Sequence, residues 1–177
     1  MNCAIASSAC VAAAAVLLGA YHQTRHVAFK ATRDRPIPNK NWSGEVSFAG
    51  FKKTARRPGS IIEVQRIVEK TAKDRGSLKV VGSGHSWTDI AVPMHSNGTM
   101  VSLDRMDSVL EVDKNRMLVT VQAGMRVHDF YSALAGHGLG LTNVPSVDEQ
   151  AVGGVIATAS HGAGLTTMSL SASVHRV

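Results

Sequence analysis

The sequence predicts one mixed domain of helices and strands, of the α/β or α+β class, behind a separate N-terminal segment. Apolar residues recur at helical spacing in two segments and alternate as in strands in several others, and these patterns follow one another along the chain. The 177 residues are 44% hydrophobic and 18% charged, which supplies a core and differs from the composition of a disordered chain. The length corresponds to about one domain.

We assign residues 1–38 to an apolar targeting or anchor segment and a basic linker. Residues 4–21 are uncharged and rich in Ala and Ser, and residues 22–57 carry nine Lys and Arg against two acids. The run is marginal for a membrane anchor, which needs about 20 apolar residues. We expect membrane association or the secretory pathway, with a mitochondrial address as the alternative because the segment is poor in acids. The Arg35-Pro36-Ile37-Pro38 stretch reads as an extended linker.

Charge and cysteine content exclude several function classes. Residues 58–177 carry ten Lys and Arg against eleven acids, so the positive excess belongs to the segment that follows the apolar run. A nucleic-acid partner is therefore not expected, because such a protein carries its basic stripe on the folded surface. Both cysteines, Cys3 and Cys10, precede the domain, which excludes a cysteine nucleophile or a cysteine metal site there. We expect no metal.

The first predicted helix begins after Ser60, which forms a capping box with Glu63, and it ends at Gly76. Strands are predicted over residues 78–81 and 99–103, where short apolar runs are bounded by turn residues. The helical spacing that predicts the helix is carried by Ile61, Val64, Ile67, Val68 and Ala72.

A hairpin is predicted over residues 109–122, because apolar residues alternate on both sides of the Asp113-Lys114-Asn115 turn. A second helix is predicted over residues 126–135 and ends at Gly136. Its apolar side consists of Val127, Phe130, Tyr131 and Leu134. Residues 150–164 follow as a glycine-rich segment.

The strand over residues 78–81 leads directly into Gly82-Ser83-Gly84-His85-Ser86-Trp87. Glycine after a strand lets the backbone approach a phosphate closely, since there is no Cβ to hold it off. The motif is neither a Walker loop nor a complete dinucleotide fingerprint, because Trp occupies position 87. Two interpretations are therefore left. In the first, the backbone N–H groups of the turn surround a pyrophosphate. In the second, His85 is an exposed loop residue.

The second candidate segment runs from Ser146 to Gly164. In it, Gly153-Gly154 is followed by small residues and hydroxyls. Small side chains allow a flat ligand or a phosphate to lie against backbone amides. The alternative is a tightly packed helix and turn in which glycine serves close packing.

Together the two segments resemble the flavin-binding module of the vanillyl alcohol oxidase (PCMH-type) family, and most closely its sugar-1,4-lactone and alditol oxidase branch. The resemblance implies an α+β, PCMH-type FAD-binding domain over residues 39–177. From the same resemblance we expect the first subdomain to be complete and the second to be truncated at the C-terminus. The matching stretches are residues 80–87, 89–91, 121–124, 137–143 and 152–164.

The resemblance implies that FAD places its pyrophosphate at residues 82–86 and at the segment 146–162. His85 matches the family's histidine that is bonded covalently to the flavin. His95, His128 and His137 match no ligand position. The implied cofactor contacts are Gly82, Ser83, Gly84, His85, Ser86, Trp87, Ser146, Gly153, Gly154, Thr158 and His161.

The implied activity is FAD-dependent oxidation of a CH–OH group of a sugar lactone or alditol, as in D-arabinono-1,4-lactone oxidase. Dioxygen is the expected electron acceptor, because Pro145 occupies a place where oxidases of the family hold Gly or Pro. No catalytic residue is assigned, since the chain stops before a substrate domain. A truncated or non-catalytic flavin-binding remnant is the alternative. A reductase of cell-wall precursor synthesis is disfavoured, because such noncovalent enzymes do not need His85.

Overall fold

The computed structural model describes residues 2–6 and 35–177 of the chain. These residues form two compact units, one of residues 35–106 and one of residues 2–6 with 107–177. Each unit combines helices with strands, and each encloses its own cluster of buried apolar side chains. The mixed composition of secondary structure agrees with the prediction.

The unit of residues 35–106 contains two helices and a parallel pair of strands. The helices are α1 (Ala49–Lys52) and α2 (Ile61–Lys73). Strands β2 (Leu78–Val81) and β3 (Thr99–Ser102) pair in parallel. Arg56 adds a further parallel bridge to Val101. Both predicted strands are confirmed, the second one residue shorter than expected.

Helix α2 begins as predicted, with a small difference in its capping box. The Ser60 hydroxyl accepts a hydrogen bond from the Glu63 N–H at 3.3 Å. The Glu63 carboxylate accepts from the N–H of Gly59 at 2.7 Å, so the reciprocal bond goes to the residue before the cap. The helix closes earlier than expected, because Arg75 takes the left-handed conformation ahead of Gly76.

The apolar cluster of this unit lies under the strand pair. It consists of Ile37, Phe48, Val81, Ala91 and Met100. Ile37 falls in the stretch assigned to the linker, yet its side chain is buried. Burial of an isoleucine side chain contributes about 1.5–3 kcal/mol, so these residues before the expected domain start help to stabilise the fold.

The other unit contains a four-stranded antiparallel sheet in the order β4-β5-β1-β6. The predicted hairpin is confirmed as β4 (Val109–Asp113) and β5 (Leu118–Gln122). Strand β1 (Asn2–Ala6) pairs with β5 from Asn2 opposite Gln122 to Ala6 opposite Leu118. Strand β6 (Val174–Arg176) pairs with β1.

Helix α3 (Val127–Gly136) is confirmed and packs its predicted face into the cluster of this unit. Val127, Phe130 and Leu134 are buried. Helix α4 (Val152–Ala157) and a 3-10 turn (Leu170–Ser173) lie in the glycine-rich region and after it. For α4 the sequence leaves a packed helix and turn open as the alternative to ligand contact, and the 3-10 turn is not predicted.

The N-terminal segment is described only in part. Strand β1 falls inside the range of residues 1–38 that the sequence sets apart from the fold. Residues 7–34, which hold most of the apolar run, lie outside the described residues. Among the described helices, none has the length and apolar character needed to cross a membrane.

Candidate cofactor site

The turn of residues 82–87 follows directly from β2, as the sequence predicts. Gly84 has a φ of +77°, a conformation that side chains rarely adopt. A Cβ at this position would lie 2.8 Å from the Cγ of Pro38 and 3.3 Å from the Cε2 of Phe48. Glycine is therefore required here both by the backbone conformation and by the space available.

The carbonyl groups of the turn are held from one side. The Trp42 N–H donates to the Gly84 carbonyl at 2.7 Å. The side-chain amide of Asn41 donates to the Ser86 carbonyl at 3.0 Å and to the Trp87 carbonyl at 3.3 Å. Three carbonyls of the turn are thus occupied by two neighbouring residues.

Three amide N–H groups of the same turn are available. Within the described part of the chain, the N–H groups of Ser83, Gly84 and Ser86 have no hydrogen-bond acceptor. Successive N–H groups around a left-handed glycine form a concavity that binds anions. The turn therefore fits a phosphate group, which would supply the missing acceptors, whereas a Cβ at position 84 would collide with Pro38.

The side chains around the turn include an imidazole and two indoles. The Nδ1 atom of His85 lies 2.9 Å from the Ser83 hydroxyl, and the imidazole is half-buried. Trp87 is 67% exposed, and its ring centroid lies 5.2 Å from that of Trp42. The Ser83 hydroxyl therefore fixes how the His85 ring is oriented.

In the second segment, the two adjacent glycines have different surroundings. The Gly153 N–H donates to the Ala123 carbonyl at 2.9 Å, and a Cβ on Gly153 would lie 3.1 Å from two Ala123 atoms. Close packing therefore accounts for Gly153. Gly154 is exposed, and a Cβ there would meet nothing within 4 Å. Packing gives no reason for glycine at position 154.

The polar candidates of this segment lie at the surface. The Thr158 hydroxyl donates to the Gly154 carbonyl at 3.0 Å and therefore closes the end of α4. The Nδ1 atom of His161 lies 2.8 Å from the carbonyl of Gly162, and Ser146 is exposed. Ala159, between Thr158 and the following turn, has a φ of +51°.

Comparison with known proteins identifies the family. A family model described as "FAD binding domain" matches residues 53–177. The chain belongs to this family. FAD, the cofactor expected from the sequence, is thereby confirmed, and the turn described above has the open N–H groups that its phosphates need. Covalent attachment at His85 and the individual contact residues stay predictions.

Relatives of this FAD-binding domain include aldonolactone oxidoreductases. It is 36% identical to L-galactono-1,4-lactone dehydrogenase, mitochondrial, of Arabidopsis thaliana, covering 79% of this chain and 23% of the relative. It is 38% identical to L-gulono-1,4-lactone dehydrogenase of Mycobacterium tuberculosis, over 76% of this chain and 30% of the relative. It is 36% identical to D-arabinono-1,4-lactone oxidase of Eremothecium gossypii, over 70% of this chain and 23% of the relative. The chain thus spans less than a third of these relatives, and the resemblance drawn from the sequence is confirmed.

Solved structures support the fold. Cholesterol oxidase from B. sterolicum superimposes with a TM-score of 0.61 at 22% identity, covering 71% of this chain and 24% of that one. Alkyldihydroxyacetonephosphate synthase superimposes with a TM-score of 0.53 at 29% identity, covering 59% of this chain and 22% of that one. The PCMH-type fold class expected from the sequence is confirmed.

The two predicted motifs of the FAD-binding domain fall in different units. Residues 82–87 belong to the unit of residues 35–106, and the candidates from Ser146 to His161 belong to the other. The sequence patterns do not single out Asn41 and Trp42, which hold the turn. They also give no local reason for Gly162, whose N–H donates to the Asn143 side chain at 3.0 Å and where a Cβ would collide with Asn143. These roles depend on partners distant in sequence, which no local pattern shows.

Two other features of the FAD-binding domain lie apart from the turn. A groove of about 430 Å³ runs beside α2 and is lined by Arg56, Arg66 and Lys70 among others, with no predicted site residue in its walls. His128, Asp148 and Glu149 bring possible metal-ligand atoms within 4.8 Å of one another. However, the ring nitrogens of His128 lie 3.2 Å from the Asp129 carboxylate and 3.3 Å from the Asp148 carbonyl, so both already face oxygen acceptors.

Proposed function

We propose that this chain is the FAD-holding part of a sugar-1,4-lactone oxidoreductase. The observation that carries the proposal is the turn of residues 82–87, in which three carbonyls are bonded and the N–H groups of Ser83, Gly84 and Ser86 are open. The substrate class is supported by relatives named for L-galactono-, L-gulono- and D-arabinono-1,4-lactone. The chain covers only part of each relative, so the activity belongs to the proposal.

In this proposal the turn binds the pyrophosphate of FAD through its open N–H groups. Gly84 allows the backbone to adopt the conformation of the turn, and the Ser83 hydroxyl orients the His85 imidazole at 2.9 Å. When bound, FAD supplies the chemistry of removing a hydride from a carbon that carries oxygen. The residues of this chain bind the cofactor, fix its position and, at His85, offer a nitrogen for covalent attachment. Gly82 and Trp87 flank the same turn.

The second segment contributes further contacts in this proposal. Gly154 leaves an open surface beside the Thr158 hydroxyl, and Ser146 and His161 are exposed in the same unit. Groups at the surface of a domain can contact a ligand without rearrangement of the core. Gly153 takes part indirectly, because its close packing on Ala123 sets the position of α4.

For the electron acceptor we propose dioxygen, on the ground of Pro145. This residue is buried directly before Ser146, and family oxidases hold Gly or Pro at the matching place. The relatives include both dehydrogenases and an oxidase, so their names do not decide the acceptor. Hydrogen peroxide release on lactone addition would support dioxygen. Reduction of an artificial dye without peroxide release would contradict it.

For the location we propose a membrane or the secretory pathway, on the ground of the apolar residues 4–21. The Arabidopsis relative is named mitochondrial, which supports the alternative address. Residues 1–38 fused to a fluorescent protein would show which is right. Reticular or surface fluorescence supports the first, and fluorescence confined to mitochondria supports the second.

The flavin linkage is tested with His85→Ala against His95→Ala, an exposed histidine of the same unit as a matched control. We expect wild type and His95→Ala to keep flavin fluorescence on a denaturing gel and His85→Ala to lose it. Flavin fluorescence that persists in His85→Ala would exclude this residue as the attachment point.

The reaction is tested by adding a sugar-1,4-lactone to the FAD-loaded protein without oxygen. Bleaching of the flavin absorbance would support the oxidoreductase. FAD binding without bleaching by any aldonolactone or alditol would instead favour a non-catalytic flavin-binding module. Failure to bind FAD at all would overturn the proposed function.

A further inference from the structure

A short hairpin precedes the domain matched by the family model and contacts its phosphate turn. Residues 39–48, called here the brace, are closed by a bond from the Phe48 N–H to the Asn39 carbonyl at 2.8 Å and one from the Asn41 N–H to the Val46 carbonyl at 2.9 Å. An antiparallel bridge joins Lys40 to Ser47. Phe48 is fully buried, which anchors the brace in the cluster of its unit.

The side chain of Asn41 is the polar centre of the brace. It is buried, with 4% of its surface exposed. Its oxygen accepts from the Val46 N–H at 3.0 Å and from the Ser43 hydroxyl at 3.2 Å. Its nitrogen donates both hydrogens to the turn, to the Ser86 and Trp87 carbonyls. All the main hydrogen-bonding capacity of the amide is used, so its orientation is fixed.

These bonds hold the backbone at two of the residues that carry open N–H groups. The Gly84 carbonyl is bonded to Trp42 and the Ser86 carbonyl to Asn41, and the N–H groups of both Gly84 and Ser86 are open. Because only two soft dihedral angles join the N–H of a residue to its carbonyl, a bond that holds the carbonyl restricts the direction of the N–H. An anion at the turn then meets N–H groups whose direction the brace restricts.

We propose that Asn41 is a positioning residue for the cofactor, which holds the turn in the conformation that binds the FAD pyrophosphate; this rests on the proposed function. Asn41 lies ahead of residues 53–177, the part that the family model matches. The phosphate site of this chain is therefore completed by a segment outside the matched domain.

The test replaces Asn41 with aspartate and titrates the protein with FAD. The carboxylate of the variant still accepts a hydrogen bond from the Val46 N–H. Toward the Ser86 and Trp87 carbonyls, however, it presents a negatively charged oxygen instead of two N–H donors. We expect FAD to bind about tenfold to a hundredfold more weakly at neutral pH, as for the loss of two hydrogen bonds. The matched control is Asn39→Asp, an exposed position in the brace where an acceptor for Lys52 is retained. Its FAD affinity should stay within about twofold of wild type.

The pH dependence separates positioning from general damage. Protonation gives the carboxyl introduced by Asn41→Asp an O–H donor, so the ratio of variant to wild-type Kd should fall toward one at mildly acidic pH. Taking the ratio at each pH removes the titration of His85, which is common to both proteins. Lys40 and Glu45 are exposed and also common to both. A weaker affinity that does not recover in acid would overturn the inference, because it would show general damage.

If Asn41→Asp does not fold, Asn41→Ala replaces it, because that change buries no charge. The far-ultraviolet circular dichroism of the variant shows whether it is folded, and its FAD affinity should again fall at least about tenfold. Wild-type affinity in a folded Asn41→Ala protein would overturn the role of Asn41 and leave the proposed function intact. Absence of FAD binding by wild type would overturn the proposed function, and this inference with it.

Discussion

At the scale of single residues, Gly84 combines two constraints that can be measured separately. Gly84→Ala adds a left-handed alanine and a collision with Pro38, whereas Gly44→Ala adds only the left-handed alanine, because its Cβ would meet nothing within 4 Å. We expect Gly44→Ala to cost about 1–2 kcal/mol of unfolding free energy. Gly84→Ala should cost about 1–3 kcal/mol more. Urea unfolding measures both.

The same pair of variants separates stability from ligand binding. Gly44→Ala should lower FAD affinity less than Gly84→Ala does, since Gly44 belongs to the brace but not to the turn. Gly84→Ala should lower FAD affinity even under conditions in which the protein stays folded. Equal unfolding free energies for the two variants would show that the space around Gly84 can relax.

Tyr131 leads to a prediction about the stability of the protein at alkaline pH. Its hydroxyl is buried without a hydrogen-bond partner among the described residues. Burial raises the pKa of this hydroxyl above its ordinary value, and the neighbouring Asp148 carboxylate raises the pKa further. An unfolded tyrosine ionises near pH 10. Ionisation of Tyr131 therefore leaves the free energy of unfolding unchanged below about pH 10. The free energy of unfolding falls as the pH rises from there toward the pKa that the hydroxyl has in the folded protein.

We expect Tyr131→Phe to be as stable as wild type or slightly more stable at neutral pH, because it removes a polar group without a partner. Above about pH 10 the variant should lose less stability than wild type. Urea unfolding at neutral and alkaline pH measures the difference, and the lysines common to both proteins cancel. An identical loss in both proteins would show that Tyr131 ionises freely in the folded state.

The residue types of the phosphate turn could be predicted from the sequence, because glycines after a strand have a local reason. The partners of the turn could not. Asn41 lies 45 residues from Ser86, and nothing in the local pattern indicates that its amide is buried against that carbonyl. For Gly153 the sequence leaves ligand contact and close packing open, and the structure supplies a packing reason in Ala123.

At the scale of elements, the start of α2 depends on one side chain. Ser60→Ala removes the hydroxyl that accepts from the Glu63 N–H. We expect a loss of about 1 kcal/mol of unfolding free energy. The matched control is Ser132→Ala on α3, where the exposed hydroxyl only donates back to the His128 carbonyl.

Ser132→Ala should change stability by less than about 0.5 kcal/mol, because alanine is the better helix former in a helix interior. Thermal unfolding of the two variants gives the comparison. If both changes cost the same, the Ser60 hydroxyl does not act as a cap in solution.

Long elements with strong periodicity could be predicted, and short ones could not. Helix α2, helix α3 and the β4–β5 hairpin each repeat their apolar pattern over two turns or two strands. Helix α4 has six residues, two of them glycine, which disfavours a helix on propensity alone. It forms where the Val152 N–H bonds to the Met125 carbonyl at 2.8 Å, a contact that the local sequence does not reveal.

At the scale of the whole molecule, two interpretations of the N-terminus conflict. Its composition predicts a targeting segment over residues 1–38, whereas the structure pairs Asn2–Ala6 with β5 and β6. A chain that begins at residue 35 would leave an open edge on β5. We expect faster amide hydrogen exchange across β5 in that shortened chain than in the full chain.

The amides of β2 and β3 serve as the internal reference, because they belong to the other unit. Equal protection of β5 in both chains would show that β1 does not stabilise the sheet. The N-terminal residues would then be available for targeting alone.

The brace also affects where the FAD-binding domain can be cut to give a shorter protein. A protein that begins at residue 53, the first residue of the family match, retains every glycine of the phosphate turn. It lacks Asn41 and Trp42, and with them the donors to three turn carbonyls. Exchange of this domain between related enzymes should therefore preserve flavin loading only when the breakpoint precedes residue 39. If Asn41 has the proposed role, the segment that binds the cofactor begins before the stretch that the family model matches.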